Sequence, residues 1–157
     1  MNILDELNIG HRRRLPIIIA TEAAECGLAC MAMVSCYHGH NVDLNGLRQR
    51  YAVSLAGASL KSLMGIADQL GFSTRPLRVE LSAIGKVHLP AILHWDLNHF
   101  VVLKSVARNR ITIHDPASGA RTLPPEEFSQ HFTGVVLELA RAEGFEPIEV
   151  LGAAQPL

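Results

Sequence analysis

The sequence carries almost no net charge and has no long apolar run. Its 14 lysines and arginines against 15 aspartates and glutamates give a formal net charge of −1 at pH 7. Nucleic acid is not an expected partner, because phosphate binding needs a basic patch. The only basic run is Arg12–Arg14, which we expect to be a solvated arm. No stretch approaches the roughly 18 consecutive apolar residues of a transmembrane helix. The start at Met1–Glu6 lacks the features of a secretory signal peptide, so we expect a soluble, cytosolic chain.

Disorder is excluded as the dominant state, because it requires low hydrophobicity and high net charge. Apolar residues make up 48% of the chain and charged residues 18%. At roughly 100–200 residues per domain, a chain of 157 residues predicts one domain with one packed core.

Cysteine is scarce, and its three occurrences, Cys26, Cys30 and Cys36, fall within eleven residues. An odd number in one short segment does not predict a disulfide framework, and cytosolic thiols stay reduced. Three interpretations remain: core packing, metal binding, or one nucleophile. A zinc site has little support, because there is no CxxC pair and no paired-histidine spacing. Free cysteine is commonly a small buried hydrophobe, which is what we expect of Cys30 and Cys36.

The first half of the chain has helical patterns. Its apolar residues predict a buried helix over Cys26–Tyr37, which Gly39 can end in the left-handed conformation. Asp43 is suited to cap a second, short helix, and Ser59 a third, which Gly71 stops.

The second half has the pattern of short strands, with helical turns expected at Leu81–Lys86 and Pro124–Glu127. The expected strands are Phe72–Val79, Pro90–Trp95, His99–Leu103, Arg110–Asp115, Ala120–Leu123 and Gly134–Ala140. The third and fourth of these are expected to form a hairpin. Helices followed by strands predict an α+β domain.

The position of Cys26 is the first indication of chemistry. At the expected start of a helix, peptide dipoles and unpaired N–H groups favour a thiolate. A nucleophilic thiolate needs a histidine to take and return a proton, and a carboxylate or amide to orient that histidine. His99 opens a strand after a loop and Asp115 closes the neighbouring strand, so a hairpin brings them side by side. His94 and His114 lie within strands and are expected to be hydrogen-bonded structural residues.

Two separate motifs resemble those of the C39 peptidases. The segment Thr21–Met33 is similar to the cysteine motif of that family, and the segments Asn98–Leu103 and His114–Gly119 are similar to its histidine and aspartate motifs. The spacing of three further segments also agrees: Gly57–Leu60, Leu70–Phe72 and Phe132–Gly134. The resemblance covers about residues 13–141 and is strongest to the colicin V exporter type. C39 peptidases are the N-terminal domains of ABC exporters that process and secrete bacteriocins and microcins.

The resemblance implies a papain-like cysteine peptidase fold, with a helical N-terminal half packed on an antiparallel β-sheet. It implies a cysteine endopeptidase that cuts after the Gly-Gly (or Gly-Ala) pair ending the leader peptide of a bacteriocin or microcin precursor. Carried over by position, Cys26 is the nucleophile, His99 the general base and acid, and Asp115 the residue that orients His99. The leader is typically an amphipathic helix that docks on an apolar groove.

One position departs from the family pattern. C39 peptidases normally have glutamine six residues before the cysteine, where its amide helps to form the oxyanion hole; here that residue is Ala20. Loss of one such donor typically costs about 10²–10³ in turnover. Three explanations stay open: a deliberate weakening substitution, an enzyme that relies on the Cys26 backbone N–H, or a leader-binding domain that recruits cargo without efficient cleavage.

The resemblance also implies the setting of the domain. Residues 1–12 are expected to be an N-terminal arm, 13–142 the C39-like peptidase domain, and 143–157 a linker toward the transmembrane domain of a full-length exporter. Such an exporter places the domain on the cytosolic face of the bacterial inner membrane. The domain itself is expected to need no cofactor and no metal, with ATP and Mg bound by the nucleotide-binding domain of the full-length exporter. The expected partners are the leader peptide and those two exporter domains.

Overall fold

The structure, a computed structural model, describes residues 13–51, 54 and 56–149. Its α-helices are α1 (Cys26–Tyr37), α2 (Leu44–Arg50), α3 (Leu60–Gln69) and α4 (Pro125–His131), with 3₁₀ helices at Ala23–Glu25 and Leu81–Lys86. Its strands are β1 (Phe72–Arg78), β2 (Ala91–Trp95), β3 (His99–Ala107), β4 (Arg110–Asp115), β5 (Gly119–Leu123) and β6 (Phe132–Arg141). The expected N-terminal arm over 1–12 lies outside the described residues.

The six strands form one antiparallel sheet in the order β1-β6-β2-β3-β4-β5. Strands β2 to β5 follow one another as hairpins, while the last strand returns between β1 and β2. The three helices of the first half precede this sheet in the chain; α1 and α3 pack on the sheet, and α2 packs on α1. The α+β class predicted from the sequence is confirmed.

Helix α1 lies at the centre of the helical layer. Residues 26–35 are all buried, because the helix is apolar on every side and must be covered on every side. It packs on β3 and is flanked by α2 and α3. The predicted bounds Cys26–Tyr37 are confirmed, and Gly39 follows the helix with a φ of 108°, in the left-handed region that glycine adopts without steric cost.

The two predicted helix caps are present. The Asp43 carboxylate accepts a hydrogen bond from the Gly46 N–H at 2.6 Å. Ser59 and Ser62 bond reciprocally to each other's backbone N–H, at 3.0 and 2.9 Å, which forms a capping box at the start of α3. These contacts fix where α2 and α3 begin.

Helix α4 is longer than the turn predicted over Pro124–Glu127, since it runs on to His131. The reason is a tertiary contact: Phe128 is fully buried, with its ring 5.2 Å from that of Trp95. The sequence pattern of this short segment contains no periodicity that reports such a contact.

Alternation along the strands divides the core into two layers. On the helical side, Ile92, Phe100 and Val102 pack with α1. On the opposite side, Leu93 and Trp95 pack beneath α4 and the Leu81–Lys86 helix, together with Val101, Leu103, Ile113 and Val136. Among the described residues, none of the helices is long and apolar enough to cross a bilayer.

The segment after β6 does not leave the domain at once. The Ile148 N–H donates to Nδ1 of His40 at 2.9 Å, and the Ile148 carbonyl accepts from the Asn41 N–H at 2.7 Å. The Phe145 ring lies 4.6 Å from that of His40. Part of the segment predicted as a linker over 143–157 is therefore packed on the domain, and residues 150–157 of it lie outside the described residues.

Candidate active site

Cys26 is the first residue of α1, directly after the 3₁₀ helix Ala23–Glu25. It is 3% exposed, and its Sγ lies 3.9 Å from the carbonyl oxygen of Asn98, the residue before β3. The thiol therefore sits where the helical layer meets the β2–β3 turn. The first turn of α1 therefore begins at the residue that carries this sulfur.

His99 and Asp115 come together as the predicted hairpin requires. His99 opens β3 and Asp115 ends β4, and the antiparallel register pairs Val102 with His114. The distance from His99 Nε2 to Asp115 Oδ1 is 2.6 Å. Since Nε2 is hydrogen-bonded to the carboxylate, Nδ1 is the ring nitrogen that remains available to interact with the Cys26 thiol.

The electrostatics of this pair favour an imidazolium. The hydrogen bond to Asp115 and, after it, the interaction with Cys26 raise the pKa of His99 to about 9, against the opposing effect of burial. Burial also opposes ionisation of Asp115. The hydrogen bonds from His99 and from the Ala117 N–H, with the nearby charge of Arg121, outweigh it and hold the pKa of Asp115 below its ordinary value. At neutral pH the arrangement is a carboxylate beside a protonated histidine.

The other two cysteines are differently placed. Cys30 is fully buried one turn further along α1, and burial raises the pKa of its thiol well above the ordinary value. Its predicted packing role is confirmed. Cys36 is only half-buried, and its thiol donates to the Val42 carbonyl at 3.0 Å, so its assignment to the core is wrong in part. Cys36 lies at the end of α1, where the helix emerges from the core.

The two remaining strand histidines are hydrogen-bonded, as predicted. Nδ1 of His114 donates to the Pro16 carbonyl at 2.9 Å, which ties the segment before α1 to β4. Nδ1 of His94 lies 2.9 Å from the Thr133 hydroxyl. Within residues 13–51, 54 and 56–149, no group of three or more His, Cys, Asp or Glu side chains converges as a metal site would require.

Position 20 supplies no free donor. The Ala20 side chain is a methyl group, and its backbone N–H donates to the Pro116 carbonyl at 2.9 Å. The Cys26 N–H, the other candidate donor, bonds to the Ala23 carbonyl within the 3₁₀ helix. The backbone N–H groups of Ala20 and Cys26 therefore both already have an acceptor in this structure.

Sequence reasoning missed an ion pair at the residue directly before Cys26. Glu25 is buried, and Arg48 of α2 donates to its two carboxylate oxygens at 2.5 and 2.9 Å. The hydrogen bond from Arg48 lowers the pKa of Glu25, so the pair is ionised. It joins the start of α1 to α2 and fixes the residue that precedes Cys26. The sequence does show an acidic residue, Glu25, next to Cys26. It does not show that Arg48, 23 residues further along the chain, is its partner.

A cleft of about 510 Å³ extends from the Asn98 side of the site. One wall is the loop before α3 and its first residue, and the other wall comes from the sheet; together the walls contain Ala56, Gly57, Ala58, Ser59, Leu60, His94, Asn98, Phe100 and Val135. Gly27 allows the loop to lie close to α1, since a Cβ there would be 3.1 Å from the Cβ of Ala58. The lining of the cleft is mainly apolar.

Comparison with known proteins identifies relatives of this site. The sequence model of the Peptidase C39 family matches residues 14–144. The chain is 52% identical over 137 residues to the probable microcin-H47 secretion/processing ATP-binding protein of Escherichia coli, covering 87% of this chain and 20% of that protein. It is 49% identical over 144 residues to the colicin V secretion/processing ATP-binding protein of Escherichia coli, covering 92% and 21%. The chain thus spans about one fifth of the length of these relatives.

The fold agrees with a solved structure of the same kind. A double glycine motif protease from an AMS/PCAT transporter, in complex with the leader peptide, has a TM-score of 0.78 and 36% sequence identity with this chain. The match covers 83% of this chain and 94% of that one.

Proposed function

The chain belongs to the peptidase C39 family, and we propose that it is the cysteine endopeptidase domain that removes double-glycine leader peptides from bacteriocin or microcin precursors. The observation that carries the proposal is the meeting of a thiol, an imidazole and a carboxylate at one end of a cleft. His99 and Asp115 are 2.6 Å apart, and Cys26 begins a helix beside them. Relatives named as secretion/processing proteins, and a similar fold that binds a leader peptide, support this substrate class.

The proposed chemistry follows from the charge state of the site. The Cys26 thiolate attacks the carbonyl carbon of the second glycine, and the electron pair of the C=O bond moves to the carbonyl oxygen. As the C–N bond breaks, the His99 imidazolium gives its proton to the leaving amine. Water then attacks the thioester, His99 takes a proton from that water, and the C–S bond breaks to return the thiolate. Asp115 holds the ring in place and stabilises its charged form throughout.

Specificity for glycine is proposed to come from the cleft. The loop around Ala58, which forms one wall, lies against the start of α1, where a Cβ at Gly27 would be 3.1 Å from the Cβ of Ala58. We propose that this loop leaves room next to the cut only for a hydrogen or a methyl side chain. The proposed substrate is therefore an extended segment that ends in two very small residues.

The wider setting is also a proposal. Because the two Escherichia coli relatives are about five times longer than the matched region, we place this domain in a longer ABC exporter. The transmembrane and nucleotide-binding domains of that exporter are then its partners, and the cytosolic face of the inner membrane its location. ATP and Mg would bind in the nucleotide-binding domain, whereas the peptidase chemistry described above requires no cofactor.

Position 20 favours a second candidate function. A domain whose oxyanion side lacks a free donor could bind the leader and recruit cargo while cleaving slowly. The observation behind this alternative is that the N–H groups of Ala20 and Cys26 are both already bonded. Binding without cleavage is its signature.

Incubation of the domain with a Gly-Gly precursor, followed by mass spectrometry of the released leader, separates the two functions. We expect a cut after the second glycine that requires Cys26. A leader that binds and is never released would support the recruiting domain instead. If the domain neither binds nor cleaves the precursor, both proposed functions are refuted.

A further inference from the structure

His94 is the one ionisable side chain among the residues that line the cleft. It lies on β2, where successive side chains point to opposite faces of the sheet. Leu93 and Trp95 face the layer under α4, so His94 faces the helical layer, as Ile92 does. Its ring is therefore held on the wall opposite the loop before α3.

The hydrogen bonds of Thr133 fix the tautomer of the His94 ring. The Thr133 hydroxyl has one proton, and it donates that proton to the His94 carbonyl oxygen at 3.2 Å. The same hydroxyl oxygen lies 2.9 Å from Nδ1 of His94. Both contacts are hydrogen bonds at the same time only when Nδ1 donates to this oxygen, because the hydroxyl has one proton and the carbonyl cannot donate. The proton of the neutral ring is thus on Nδ1, and Nε2 carries a lone pair.

The second ring nitrogen has no protein partner among residues 13–51, 54 and 56–149. Nε2 lies on the ring edge away from Nδ1 and thus away from Thr133. The ring is also restrained by Phe100, whose centroid is 5.4 Å from that of His94. An oriented acceptor in a mainly apolar wall is the kind of group that fixes a ligand's position in a cleft.

We propose that Nε2 of His94 accepts a hydrogen bond from a backbone N–H of the peptide segment bound in this cleft, which makes His94 a substrate-binding residue that sets the register of the cut. The inference rests on the proposed function. Glycines beside the cut offer no side-chain donor, so their backbone N–H groups are the donors available there. A peptide shifted by one residue loses this bond and leaves a polar group buried without a partner.

The first test measures leader binding on a Cys26→Ala background, where turnover does not interfere. His94→Phe keeps an aromatic ring against Phe100 and removes the acceptor, and it should weaken binding about fivefold, as one neutral hydrogen bond implies. Thr133→Val frees the ring to change tautomer and should cause a smaller loss. His131→Phe is the matched control, because His131 stacks on Trp95 at the opposite face of the sheet. This variant should bind the leader as tightly as the parent does.

The second test replaces single backbone amides of the leader by esters, which removes one N–H at a time. With His94 present, one ester position should cost about fivefold in affinity, and with His94→Phe that same ester should cost nothing further. Equal ester penalties in both proteins would overturn the inference while leaving the proposed function intact. Absence of leader binding by the Cys26→Ala parent would overturn the proposed function and the inference together.

Discussion

The two sides of the candidate site differ in how complete they are. The acid–base side has its full set of contacts: Asp115 accepts from His99 at 2.6 Å and from the Ala117 N–H at 2.8 Å. On the oxyanion side, Ala20 has no polar side chain and its N–H bonds to Pro116. From this comparison we predict that proton transfer is retained and that weak stabilisation of the tetrahedral oxygen limits the rate.

The largest effect is expected from removal of the nucleophile. Cys26→Ala should abolish both cleavage and labelling by a thiol-directed inhibitor, because no other thiol lies at the start of a helix beside His99. Cys36→Ala is the control. The Cys36 thiol bonds to the Val42 carbonyl at the far end of α1, so its removal should leave both readouts unchanged. Cleavage that persists in Cys26→Ala would refute the assignment of Cys26 as the nucleophile.

The next effects concern His99 and Asp115. His99→Ala should lower turnover by on the order of 10²–10⁴, the usual contribution of general acid–base catalysis. Asp115→Asn should cost less, on the order of tenfold to 100-fold, since a hydrogen bond to a charged group contributes about 1.5–3 kcal/mol. Single-turnover rates measure both. Equal and small losses at the two positions would mean that another histidine is the base.

The pH profile gives the same pair a directional test. With the pKa of His99 near 9, the imidazolium survives at neutral pH and kcat/KM should fall as the pH rises through about 9. Asp115→Asn removes the main cause of the raised pKa, so the alkaline limit should move down toward the ordinary histidine value. The same interaction stabilises the fold. This stabilisation is fully present below the unfolded-state pKa of His99 and is lost as the pH rises through the folded-state pKa of about 9. An alkaline limit that does not move would contradict the coupling.

The smallest effect is expected at Arg121. Its Nη1 lies 3.8 Å from the second oxygen of Asp115, and its side chain is one-third exposed. Exposed ion pairs contribute about 0–1 kcal/mol, so Arg121→Gln should change turnover by roughly fivefold or less. The alkaline limit should rise slightly, because Asp115 then acts on His99 without a competing cation. Arg110→Gln makes the same charge change at the other end of β4 and should move neither quantity.

The sequence predicted the parts of the site that local signals determine. Helix α1 is apolar throughout and is followed by a glycine, so the sequence predicted that Cys26 begins it. The hairpin pattern of β3 and β4 is regular, so the sequence predicted that His99 and Asp115 lie side by side. The pairing of Glu25 with Arg48 could not be predicted, because it depends on how α2 packs. The return of β6 between β1 and β2, and the contact of Ile148 with His40, depend on equally distant parts of the chain.

The central claim is that a working acid–base side is limited by a depleted oxyanion side, and Ala20→Gln tests it most directly. Single-turnover cleavage of one Gly-Gly precursor should become about 10²-fold faster, equivalent to roughly 2.7 kcal/mol of transition-state stabilisation. Leader affinity, measured on a Cys26→Ala background, should stay nearly unchanged, because the donor acts on charge that exists only in the tetrahedral state. A cleavage rate that glutamine does not raise would contradict the claim and favour the recruiting domain.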